Sequence, residues 1–131
     1  MVRHGLIDHT DGLGNGGRFG YGDTQWMTAG KGITHSEMFP LLKQDGENRL
    51  ELFQIWLNLP AASKMVEPHF KMLWSEQLLH HAVPDAAGKK TIITTVAGKL
   101  EPGTAEGPQP SPPPNSYAAN SECKLLFCVP T

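Results

Sequence analysis

Long apolar runs are missing from this sequence, and none approaches the length a helix needs to span a bilayer, so no membrane association is expected. A surplus of positive charge is missing too. Eleven Lys and Arg against thirteen Asp and Glu give a formal charge of -2, which supplies no basic face for direct nucleic-acid binding. Cysteine is scarce: Cys123 and Cys128 are five positions apart and would point to opposite sides of a strand, a poor disulfide pair. A reduced, cytoplasmic setting is expected from that usage, with the nucleus open to a eukaryotic protein. Several catalytic signatures are also absent. There is no Gly-x-Ser-x-Gly elbow, no Cys-x-x-Cys pair and no paired carboxylates in an apolar context. Gly30 and Gly32 lack both the Walker lysine–serine pair and the GxGxxG spacing, so they read as backbone features and not as a phosphate cradle.

What is present is punctuation. Fourteen glycines and eleven prolines in 131 residues, with 18% charged side chains, predict many turns and short strands, hence an all-β fold. Residues 8–22 read as a turn region through Asp11-Gly12, Gly14-Asn15 and Gly16-Gly17. Residues 49–59 give the clearest strand pattern, with the apolar parity changing near Phe53, as a bulge or two-sided burial would produce. Residues 68–81 place Phe70, Leu73, Trp74 and Leu78 at helix-like spacing. Residues 91–96 are β-branched and read as a strand. Residues 101–115 hold five prolines between positions 108 and 114 and read as an extended linker. No internal repeat is visible.

The most informative stretch runs from Gly22 to Phe39 and ends in His35-x-Glu37. On an extended segment these two side chains share a face. An imidazole beside a carboxylate is half of a site for a borderline divalent ion such as iron. On residue types alone, a solvated surface pair is the competing reading. The surrounding string decides between them: Gly22-Asp23-Thr24-Gln25-Trp26-Met27-Thr28-Ala29-Gly30-Lys31-Gly32-Ile33-Thr34-His35-Ser36-Glu37 resembles the pirin family signature almost residue for residue. The likeness continues through residues 52–60 and 64–68, and upstream through His9-x-Asp11-x-Leu13-Gly14-Asn15.

Pirins are two cupin barrels in tandem, so the resemblance implies a partial cupin, a double-stranded β-helix or jelly-roll barrel, truncated at both ends. Residues 1–82 would belong to the first cupin domain. Residues 83–131 would hold the inter-barrel linker and the opening strands of the second, with Cys123 to Phe127 as one such strand. The family's other two metal histidines lie in a His-x-His-Arg-Gly motif one strand earlier, which would fall upstream of Met1. The resemblance therefore implies Fe(II) in the complete protein, with His35 and Glu37 supplying two of four ligands. From those two alone, weak and unselective metal binding is expected. The activity implied is that of a quercetin 2,3-dioxygenase on a flavonol-like small molecule. The alternatives are an iron- or redox-sensing co-regulator that binds a transcription-factor protein, and an inactive truncated gene product.

Other histidines are weaker ligand candidates. His9 sits in the expected turn region, His4 near the end of a family strand, and His69 has no partner at ligand spacing. His80 and His81 read as exposed loop residues. Trp26, Met27 and Trp56 read as core packing, Trp56 most clearly, and Gln25 and Thr28 as possible polar contacts to a pocket ligand. Strand edges left uncovered in a partial barrel are expected to drive self-association.

Overall fold

The computed structural model describes residues 1–100 and the strand at 125–130. The expected linker at 101–115 and Cys123 lie outside the described residues. The described residues form ten strands: β1 (Val2–His4), β2 (Leu6–Asp11), β3 (Gly16–Gly20), β4 (Thr24–Thr28), β5 (His35–Met38), β6 (Glu51–Leu52), β7 (His69–Leu73), β8 (Leu79–Pro84), β9 (Lys90–Ala97) and β10 (Leu125–Pro130). Helix is limited to single 3-10 turns at Ala61–Ser63 and Ser75–Gln77. Among the described residues, no helix is long and apolar enough to cross a membrane.

Pairing is antiparallel throughout, in four small sheets with strand orders β1-β6, β3-β2-β5, β4-β7 and β10-β9-β8. In β2, Ile7 and His9 are buried while Asp8 and Thr10 face outward, the alternation of a half-buried strand. Ile7 joins Val2 and Phe19 in one core cluster, with Met72 of β7 packed against it. Leu73, Leu78 and Val96 form a second cluster, covered by Trp26. Met72 and Leu73 are consecutive and serve different clusters, so the β4–β7 ribbon is apolar on both faces.

Several sequence expectations need correction here. The helix-like spacing at 68–81 is two strands, β7 and β8, joined across a 3-10 turn. Short apolar runs do not separate helix from bent strand by periodicity alone. The turn region at 8–22 is a hairpin whose reversal occupies only residues 12–15, flanked by β2 and β3. The strong pattern at 49–59 becomes a strand only at Glu51–Leu52. Beyond Phe53 no strand lies beside it among the described residues, and alternation without a partner makes no ladder. Trp56, expected in the core, is 87% exposed. His80 and His81 lie on β8, where Thr94 and the Ser75 carbonyl hold the His80 ring at 3.0 and 3.1 Å. The β-branched run at 91–96 does form a strand, the centre of its sheet.

Gly30 shows why the signature needs its glycines. Its φ is +52°, and a Cβ added there would sit 2.1 Å from the Val66 carbonyl oxygen. The same carbonyl accepts a hydrogen bond from the Lys31 N–H at 2.9 Å. Lys31 and Glu67 also pair through their side chains. This close crossing fixes where the chain turns toward β5. Gly30→Ala is expected to lower stability by about 1–3 kcal/mol through forced backbone movement, read as a lower denaturant midpoint with unchanged slope.

The segment after β6 has its own consequence. Ile55, Trp56 and Leu57 are exposed, and residues 52–63 carry no charged side chain. Such an edge recruits other chains. The chain is expected to elute from a sizing column larger than a monomer, and Trp56→Lys to shift it toward monomer. A monomeric wild type would contradict this.

Candidate metal centre

The site is built by the register between β2 and β5. His9 lies opposite Glu37 and Asp11 opposite His35, so all four side chains fall on one face of the sheet. Thr10 and Ser36 lie opposite each other on the other face, where their hydroxyls hydrogen-bond at 3.0 Å and pin the register. One ligand atom from each of His9, His35 and Glu37 can be chosen so that all lie within 4.8 Å of one another. Metal–donor distances near 2.1 Å put neighbouring donors about 3–4 Å apart, so small side-chain movements suffice for one ion to reach all three.

His9 forms the floor. It is 1% exposed, and neither ring nitrogen has a hydrogen-bond partner. Its nearest polar neighbours are Glu37 Oε1, 3.8 Å from Nδ1, and Asp11 Oδ2, 3.7 Å from Nε2, both beyond hydrogen-bond reach. Phe70 stacks on the ring at 5.0 Å with 9° between planes, and His35 lies tilted at 5.6 Å. His35 itself is exposed, so the cluster opens to solvent at the β5 edge. Met27 lies opposite Phe70, and Gln25 opposite Met72, on the face that looks toward β2. The Gln25 side-chain oxygen is buried with no partner. Thr28 occupies the opposite face from Gln25, away from the cluster.

Asp11 closes the hairpin turn. Its carboxylate accepts hydrogen bonds from the Leu13 and Asn15 backbone N–H groups and from the Asn15 amide at 2.9–3.1 Å. Burial works to raise its pKa, but these donors and the neighbouring His9 outweigh it and hold the carboxyl below the ordinary 3.8.

Sequence reasoning placed His35 and Glu37 on one face and set His9 aside as a turn residue. His9 instead belongs to β2 and stands between them and the core. The alternation Ile7-x-His9-x-Asp11 was the signal for it, masked by the glycines that follow. His4 lies on β1 beside Glu51, and His69 opens β7 opposite Thr28; neither joins the cluster.

Comparison with known proteins agrees with this architecture. The pirin family model matches residues 1–57. This chain belongs to the pirin family. A Pseudomonas aeruginosa protein provisionally named quercetin 2,3-dioxygenase is 38% identical over 108 residues, 82% of this chain and 36% of its own length. Pirin-1 of Arabidopsis thaliana is 48% identical over 98 residues, 75% of this chain and 30% of its own. The crystal structure of a quercetin 2,3-dioxygenase from Acinetobacter baumannii superposes with a TM-score of 0.60 at 31% identity, covering 82% of this chain and 35% of that one. The fold is therefore a partial cupin, and the chain spans about a third of the length of the curated pirin relatives it matches. A pirin-family cupin with this His/Glu cluster suggests a metal cofactor. The residues fit one: a buried imidazole whose two nitrogens lack hydrogen-bond partners and face carboxylates is a donor set suited to a cation.

The lowered Asp11 pKa has a pH consequence. A depressed carboxyl contributes stability that is complete above the unfolded value near 3.8 and is lost as pH falls through the folded one. With chelator present, wild type is expected to lose stability more steeply than Asp11→Asn as pH drops below that value, measured by urea denaturation. Parallel pH profiles would contradict the assignment.

Proposed function

We propose that this chain carries the metal centre of a pirin-type quercetin 2,3-dioxygenase, with iron(II) held by His35 and Glu37 and a flavonol-like small molecule as substrate. The convergence of the His35 and Glu37 ligand atoms with a buried, unpartnered imidazole carries this reading. Names of relatives and of the solved neighbour support the reaction class. When bound, iron would supply Lewis-acid polarisation of the substrate oxygen and the redox chemistry that dioxygen requires.

The chain's own residues supply the rest. Met27 and Phe70, paired across β4 and β7, give the side of the site near His9 an apolar, polarisable character suited to an aromatic ligand. The unpartnered Gln25 oxygen offers one acceptor to a substrate hydroxyl. Exposed His35 stands where substrate would enter, and buried His9 where water is excluded. The division at residue 82 into the end of one barrel and the approach to a second goes with this proposal.

Anaerobic loading with Fe(II), followed by desalting and metal analysis, tests it. His35→Ala and Glu37→Ala are each expected to lower iron retention by more than about tenfold, while this chain alone is expected to show no quercetin turnover. Retention equal to wild type in both variants would overturn the site. Quercetin turnover is measured on the complete protein, where iron retention without turnover would overturn the dioxygenase reading and favour an iron-sensing role with a protein partner.

A further inference from the structure

We propose that His9 is a further protein ligand, so that His9, His35 and Glu37 converge on one metal ion as two imidazoles and a carboxylate, with Asp11 positioning the His9 ring. This rests on the metal reading above and deepens it. The family resemblance implies ligation by His35, Glu37 and two upstream histidines; His9 is not among them.

The ring's surroundings carry the inference. A buried imidazole normally satisfies both nitrogens, yet His9 satisfies neither. Its two nitrogens face two different carboxylates. Nδ1 looks toward Glu37, the carboxylate that closes the ligand cluster, and Nε2 toward Asp11. That is the layout of a ligating histidine, one nitrogen for the metal and the other N–H for a carboxylate that fixes tautomer and ring plane. Asp11 is itself immobilised by three donor groups from Leu13 and Asn15, with its side chain fully buried. Phe70 holds the ring plane from the face. A structural histidine bridged by water to both carboxylates is the rival explanation.

The chemistry follows from the count. Two ligands give little geometric selection, the basis for expecting weak and unselective binding. Two histidines and a carboxylate leave open positions on an octahedral ion, the arrangement of non-haem iron(II) oxygenases. His35 lies at the exposed edge of the cluster, while Phe70 covers one face of the buried His9 ring.

The test uses the full chain and the metal alone. Zn(II) is titrated into 15N-histidine-labelled protein while imidazole nitrogens are observed. The expected result is that Nδ1 of His9 and one nitrogen of His35 shift together and saturate at one equivalent. In a parallel Co(II) titration, Asp11→Asn is expected to weaken binding by about 10–100-fold at unchanged stoichiometry and to abolish the metal-dependent shift of the His9 Nε2 proton. His9→Gln is expected to weaken binding further than Asp11→Asn does. If His35 shifts and His9 does not, or if folded His9→Gln binds Co(II) like wild type, His9 is a water-bridged structural residue and the proposal fails while the metal site stands. If no histidine shifts, both readings fail. The wild-type spectra decide the matter even where His9→Gln does not fold.

Discussion

The register of β2 against β5 is the constraint on which the site depends. Side chains on a strand alternate strictly between faces, so a slip of one residue would move His35 and Glu37 to the outside and bring Ser36 and Met38 in. Three devices prevent it. Ile7 and His9 are committed to the buried side of β2, the Asp11–Asn15 turn fixes the far end of that strand, and the Thr10–Ser36 hydroxyl pair locks the outer face. The Gly30 crossing over Val66 then delivers the chain to the start of β5.

Polarity is distributed unusually for so small a core. The inner face of β2 buries an imidazole and a carboxylate among apolar residues, while large apolar side chains between residues 50 and 57 stay exposed. Buried polar groups without partners cost stability in the absence of a ligand, and functional sites are where such costs are tolerated. A bound cation would convert the unfavourable inner face into a favourable one and couple metal binding to folding. The exposed stretch after β6 has the alternation of a strand, so its pattern speaks of pairing that the described residues do not supply.

Most of the fold class was legible in the sequence, through the glycine and proline content and the long signature from Gly22 to Glu37. The shared face of His35 and Glu37 followed from simple alternation. What was hidden was hidden for identifiable reasons. Glycines 12, 14, 16 and 17 made a tight hairpin look like one extended turn and removed His9 from consideration. A bend after Leu73 gave two strands the spacing of a helix. Residues 53–59 showed that a strand pattern states what a segment can bury and leaves open whether anything lies beside it. Phe70, far away in sequence, reached His9 only through the pairing of β4 with β7, which no local pattern encodes.

The central claim is that the inner face of the β2–β5 pair is a metal centre. Anomalous diffraction from cobalt-loaded crystals, collected on both sides of the cobalt edge, tests it most directly. The account predicts one strong peak within bonding distance of His9, His35 and Glu37, about 2.0–2.2 Å from each donor. A peak at His4–Glu51 or on the β8 histidines, with the space between His9 and Glu37 holding only water, would contradict it.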